Sequence, residues 1–303
     1  HIFSAPAAIA MYGITGWLIA QERTREVLWI QLLMNGVNVG LDLVFVLSCG
    51  WGGAGVAWAT FIAEWSGLVL GLWMCRAAFA HSAWRDWARV FDRIKLKRMA
   101  VVNSDILVRS LLLQAIFVSF LFWGADFGDV NLAANQILLQ FLFATSYAMD
   151  GFAFAAEALI GQALGAKDRG ALRRSVWITS IWAAAVIVFL TLFFAVFGGW
   201  LIDVMTKAPD VQALARVYLF WMILAPFLGG PSWMLDGIFI GATRSRDMRN
   251  MMAVSFAVYW VCVWLLVEPY GNHGVWASLI IFFVARGVTL AFRYPALERA
   301  VEA

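Results

Sequence analysis

The sequence predicts an all-α polytopic membrane protein with nine transmembrane helices, and three observations carry the prediction. First, 63% of the 303 residues are hydrophobic and only 14% are charged, whereas a soluble domain carries about 45–50% apolar and roughly 25% charged residues to hydrate its surface. Lipid must therefore be the solvent. That excludes a cytosolic enzyme, a secreted module and a nucleic-acid binder with a basic face in water. Second, nine apolar stretches are long enough to cross ~30 Å of hydrocarbon as helices, and too long and continuous for the ~10-residue alternation of a barrel strand. A helix also satisfies its own backbone groups, which lipid cannot do. Third, the cations cluster on every second connection.

The nine spans are expected at 2–20, 27–48, 54–75, 99–123, 130–156, 176–202, 217–242, 250–267 and 274–292. Eighteen of the 22 basic residues lie on one set of alternate connections or after the last span: Arg23 and Arg25, seven between Arg76 and Arg98, four in 167–174, then Arg244, Arg246, Arg249, Arg293 and Arg299. The opposite connections hold only Lys207 and Arg216. The positive-inside rule makes the rich side cytoplasmic, with the first residue outside and the C-terminus inside. Cys49, Cys75 and Cys262 are far apart in or beside apolar sequence, and are read as buried apolar thiols.

Residues 77–98 form a different kind of element. Trp84, Trp87, Phe91 and Ile94 recur at helical spacing among Arg85, Arg89, Arg93, Lys95 and Lys97. The pattern suits a helix lying on the inner leaflet, apolar face down and cations toward lipid phosphates.

The chain also repeats itself. GWLIAQERTRE (16–26) resembles GIFIGATRSRD (237–247), and WGGAGVAWAT (51–60) resembles YGNHGVWASL (270–279), both at an offset of about 220 residues that Pro6 and Pro226 share. Six spans separate the copies, so both run in the same direction, as in a parallel repeat about an axis along the membrane normal. Spans 7–9 follow three others, whereas spans 1–3 follow none. The expected parent is a twelve-helix protein of two six-helix lobes (6+6), with three more helices before His1. Its parts here are 1–76 from the N-terminal lobe, a linker at 77–98 and a C-terminal lobe at 99–303.

Several ionisable groups lie at membrane depth, where each costs ~2.5–3.5 kcal/mol on insertion scales and so faces a cavity or a partner. Asn38 and Asp42 share one face of span 2 at i,i+4. Oxygen ligands suit a hard cation such as Na⁺, a desolvated carboxylate suits proton exchange, and a polar pair also glues helices together. Asp105 and Arg109 form a second i,i+4 pair, and Asp150 and Glu157 share a face of span 5 at similar depth. These four read either as a charge network closing the C-terminal lobe or as a proton or substrate-cation site, with Asp236 joining them or reaching the interface. Glu64 and Arg286 lie near mid-depth and read as structural, and Arg286 needs a carboxylate or carbonyl partner. Pro226 and Pro231, with Gly229 and Gly230 between them, mark span 7 as the bending helix. The small pairs Gly36/Gly40, Gly67/Gly71, Gly161/Gly165 and Gly237/Gly241 are read as close helix contacts. Phe141, Phe154, Trp221 and Trp233 are candidate walls of a cavity for aromatic cations.

NSDILVRSLLLQ (103–114), YAMDGFAFAAEALIGQALGA (147–166), MLDGIFIGATRSRDMRN (234–250), SAPAAIAMYGITGWLIA (4–20) and NVGLDLVFVL (38–47) resemble the multidrug and toxic compound extrusion (MATE) family, in particular its DNA-damage-inducible F (DinF) subgroup. The resemblance covers essentially the whole chain. It implies an antiporter, not an enzyme, that exports organic, often cationic or amphipathic compounds in exchange for H⁺ or Na⁺. It implies no cofactor and no bound metal, only the transported ion. Small organic substrates and membrane lipids are the implied partners, with a monomer in a bacterial inner membrane. Asn38 and Asp42 match the Asn–x3–Asp of the family's N-lobe ion site; the first-helix aspartate of that site has no counterpart here. The rival reading is a lipid-linked oligosaccharide flippase of related architecture, which needs a cleft of Arg and Lys for pyrophosphate. An intramembrane prenyl-transfer enzyme needs clustered aspartates, and no DDxxD-like cluster occurs.

Overall fold

A computed structural model describes residues 2–79, 86–87 and 91–299, and among these the regular structure is entirely helical. The helices are α1 (Ala5–Ala20), α2 (Thr24–Asp42), α3 (Gly52–Met74), α4 (Arg93–Asp126), α5 (Asp129–Gly165), α6 (Arg169–Met205), α7 (Pro209–Gly241), α8 (Ser245–Tyr270) and α9 (Asn272–Arg299). A single turn, Arg76–Phe79, follows α3. Among the described residues, eight helices are long and apolar enough to cross a membrane, α2 doing so together with the turn that continues it to Ser48, and α1 is a shorter apolar helix of 16 residues. The protein is thus a multi-pass helical membrane protein.

Local chemistry explains the boundaries. The Asp168 carboxylate accepts from the Ala171 amide at 2.9 Å, capping α6. Pro209 opens α7, where its missing N–H would be unpaired in any case. Gly271, at φ 56°, breaks α8 from α9 in a conformation that suits glycine. α7 runs through Pro226 and Pro231 as one helix.

The contacts divide the chain into two units, His1–Ile94 and Lys95–Ala303. The first packs α1, α2 and α3 around Ala7, Met11, Leu18, Ile30 and Leu68. The second packs α4 to α9, with the broadest pairing between α5 and α7. That pairing depends on missing side chains: a Cβ on Gly237 would sit 2.6 Å from the Ala153 carbonyl oxygen, and one on Gly241 2.5 Å from that of Glu157. Gly67 meets Met34 and Gly71 meets Ile14, but Gly36, Gly40 and Gly165 face open space. The close-contact reading is therefore corrected for those three. Cys75 is buried and Cys262 half-buried, whereas Cys49 is exposed; all three are free.

The internal repeat extends to individual hydrogen bonds. Glu22 (φ 60°) and Thr243 (φ 53°) end α1 and α7 in the same left-handed turn. Each is followed by an arginine whose amide bonds back into the helix, Arg23 to Leu18 at 2.9 Å and Arg244 to Phe239 at 3.0 Å. Arg23 then pairs with Glu26 at 2.9 Å and donates to the Met74 carbonyl at 3.3 Å. Arg244 pairs with Asp247 at 2.9 Å and donates to the Ala296 carbonyl at 2.6 Å. The same clasp ties the turn before the second helix of each copy to the end of its third.

Within the predicted linker, residues 93–98 begin α4, and Trp87 stacks on Phe91 with centroids 5.7 Å apart. Trp84, Arg85 and Arg89 lie outside the described residues.

Candidate functional site

Helical periodicity brings five charged residues of the second unit to one cavity of about 450 Å³. Arg109 and Leu113 of α4 lie four apart, and Tyr147, Asp150, Phe154 and Glu157 of α5 recur at three and four. Trp233, Asp236 and Gly237 of α7 and Phe283 and Arg286 of α9 complete the wall. Four of the predicted residues, Arg109, Asp150, Glu157 and Asp236, therefore share one space, and Arg286 joins them.

Asp236 is the hub. Its Oδ2 accepts from the Nη2 of both Arg109 and Arg286. The Arg286 side chain is only 2% exposed, Asp236 10% and Arg109 15%, so the triad sits in a medium where a lone charge is costly. Two guanidinium groups share one carboxylate, and the Nε of each is buried without a hydrogen-bond partner. Asp150 is exposed to the cavity and Glu157 half-buried, and neither makes an ion pair or hydrogen bond with the described residues. With every group ionised the cavity holds three carboxylates against two guanidinium groups. Its surplus is negative, and that surplus resides on α5.

Aromatic rings supply much of the remaining wall. Trp233 meets Phe283 edge-on at 5.6 Å, and Phe117 tilts against Phe143 at 5.2 Å. Of the rings expected to line a cavity, Phe154 and Trp233 do so. Phe141 instead stacks on Phe194 at 5.6 Å in the core, and Trp221 donates to His273 Nδ1 at 3.0 Å.

Asp105 belongs elsewhere. It pairs with Arg249 at 2.5 Å and accepts from Ser245 Oγ at 2.9 Å, both on α8. The i,i+4 spacing permits contact between Asp105 and Arg109, but each side chain finds its partner on another helix. The expected single network is therefore two.

In the first unit the Asn38 amide donates to Thr60 Oγ1 at 3.4 Å, and Thr60 in turn donates to the Val56 carbonyl at 3.0 Å. Asp42 Oδ1 is buried without a partner. Directly after Asp42, α2 widens into a π-helical turn, Leu43–Ser48, an irregularity frequent at functional sites. Thr60 and the π turn were missed from sequence. The signal for Thr60 was a polar residue on span 3 at a depth matching Asn38; apolar LVFVLS carries no signal for the turn. Glu64 Oε2, one helical turn beyond Thr60, is likewise buried and unpartnered.

A polytopic helical protein with a charged, aromatic-walled cavity among its helices has the build of a membrane transporter. Residues 106–265 match the MatE family model, and the chain belongs to that family. It is 36% identical to DNA damage-inducible protein F of Escherichia coli over 299 residues, covering 95% of this chain and 63% of that protein. It is 28% identical to the probable multidrug resistance protein NorM of Bradyrhizobium diazoefficiens, covering 96% of this chain and 66% of that one. Among solved structures, the Vibrio cholerae MATE transporter VcmN in its bent form superposes with a TM-score of 0.86 at 21% identity, over 99% of this chain and 68% of that one. The chain thus spans less than two thirds of the length of these two relatives.

Proposed function

We propose that the chain is the larger part of an ion-coupled exporter of organic, cationic or amphipathic compounds that works by alternating access. The observation that carries this reading is the cavity with two carboxylates, Asp150 and Glu157, that no hydrogen bond or ion pair among the described residues holds and that face aromatic walls. A surplus carboxylate in a low-dielectric cavity attracts an organic cation, and aromatic faces add cation–π attraction. Arg109 and Arg286 occupy the Asp236 carboxylate, leaving the α5 acids to exchange a proton or a substrate cation. Helix α7 carries Trp233 and Asp236 just beyond Pro231, so bending at Pro226 and Pro231 would reshape that wall. The same acidic surplus favours an exporter over a flippase, whose pyrophosphate needs a cationic cavity.

Asn38 and Asp42 are the coupling site in this reading, with Thr60 as a third oxygen. An unpartnered buried carboxylate oxygen beside two polar neighbours suits either a proton or Na⁺. In this reading the cation-rich connections and the C-terminus face the cytoplasm, as the positive-inside rule favours, and the family resemblance supports a monomer in a bacterial inner membrane. Charge placement also sets residues 77–98 as a basic linker on the inner leaflet between an N-terminal lobe at 1–76 and a C-terminal lobe at 99–303.

The test is dye efflux from vesicles holding the full-length protein, under an imposed pH or Na⁺ gradient. Asp42→Asn is expected to cut gradient-driven efflux at least about tenfold, since one essential proton or ion contact is worth more than ~1.4 kcal/mol. Efflux unchanged by that substitution would overturn the coupling role.

A further inference from the structure

A second cavity, about 380 Å³, opens on the other face of α7. Its wall comes from α6, α7 and α9, and Ser180 and Tyr294 are the only polar side chains in it. Small residues carve it out, notably Ala183, Ala184, Gly230 and Ala291. Along α6 it runs from Val176 to Ile187, which at 1.5 Å per residue is ~16 Å. That is about half of the ~30 Å hydrocarbon thickness, the depth of one leaflet.

The mouth of this groove is charged. Arg173 lies three residues before Val176, on the same helical face. It forms a two-point pair with Glu298, at 3.0 and 2.8 Å, and Arg169 donates to the same carboxylate at 3.1 Å. Glu298 lies one turn beyond Tyr294 and is 12% exposed, whereas the Arg173 side chain is 59% exposed. Two guanidinium groups gather on one carboxylate where the apolar groove meets the interface. Arg174, exposed beside them, adds another.

We infer that this groove binds an anionic phospholipid, one acyl chain lying along α6 and α7 and the phosphate meeting the Arg169/Arg173 cluster. The apolar wall, the one-leaflet depth and the cationic mouth each match one part of that molecule. Gly230 and Pro231 line this groove while Trp233, Asp236 and Gly237 of the same helix line the charged cavity. The lipid would therefore brace α7 at its proline, opposite the charged cavity. The inference needs only the groove and its mouth, and stands or falls apart from the export reading.

The test uses the full-length protein in phosphatidylcholine vesicles containing a trace of phosphatidylglycerol or phosphatidylcholine with a diazirine on the acyl chain. After illumination, labelled peptides are mapped by mass spectrometry. The phosphatidylglycerol probe is expected to label 176–187 and 230–238 about fivefold more than the phosphatidylcholine probe, the effect of about one basic charge near the surface. Arg173→Gln should erase most of that preference, Glu298→Gln should raise it by removing a carboxylate that competes with the phosphate, and Ala184→Phe should reduce labelling by both probes. The wild-type comparison needs no variant. Equal labelling by the two probes, labelling spread evenly over the lipid-facing helices, or a preference that Arg173→Gln leaves intact or Glu298→Gln lowers would overturn the inference. So would groove labelling by an apolar dye that neither lipid displaces.

Discussion

Asp236→Asn is expected to destabilise the second unit by about 3–5 kcal/mol, because it leaves two buried guanidinium groups without their carboxylate. The side chain touches both Arg109 and Arg286, so no neutral substitute balances them. The two arginines differ in what else they can reach. Arg109 lines the cavity near Asp150 and is 15% exposed, while Arg286 is 2% exposed and walled in on α9. Adding Arg286→Met to Asp236→Asn should therefore recover more stability than adding Arg109→Met. Chemical unfolding in detergent, run as a double-mutant cycle, measures the difference. Equal recovery by the two second-site changes would mean that Arg286 has a partner other than Asp236.

The Asp150→Asn, Glu157→Gln double variant is expected to behave in the opposite way. Neither carboxylate has an ion-pair or hydrogen-bond partner among the described residues, so stability should stay within about 0.5 kcal/mol of the parent, or rise slightly. Transport should suffer instead. With both acids neutral, the cavity keeps two guanidinium groups against one carboxylate and its surplus becomes positive. Efflux of a permanently cationic dye should fall at least about tenfold, the worth of ~1.4 kcal/mol of lost attraction, while an uncharged amphipathic substrate is carried nearly as before. Loss of both substrates alike would point to a proton-handling role for the acids; an unaffected cationic dye would place its binding outside this cavity.

The contrast between these two variants follows from what was legible in the sequence. Span positions were readable because lipid imposes length and apolarity on every crossing segment. The repeat was readable because turns have strong local chemistry: QERTRE and ATRSRD predict the same corner, and the Arg23 and Arg244 clasps form there. The co-location of Arg109, Asp150 and Glu157 was legible from depth and helical phase, whereas for Asp236 the sequence left the network and the interface equally open. Partner choice was not legible. An i,i+4 spacing brings Asp105 within reach of Arg109, but the neighbours supplied by tertiary packing, Ser245 and Arg249 for one and Asp236 for the other, decide the pairing. Arg286 announced only that it needed a partner. Its carboxylate lies on a helix two spans earlier in the chain, and one sequence carries no register between α7 and α9. The π turn after Asp42 escaped because residues 43–47 are uniformly apolar and read as ordinary helix.

The most direct measurement of export by ion exchange is ion movement driven by substrate alone. Full-length protein is reconstituted in vesicles with equal pH and Na⁺ on both sides, with a pH or Na⁺ reporter in the lumen. An organic cation is then added outside. The expected result is a saturable flux of H⁺ or Na⁺ opposite to the substrate, abolished by Asp42→Asn. Substrate uptake with no ion movement, or ion movement that persists in Asp42→Asn, would contradict it.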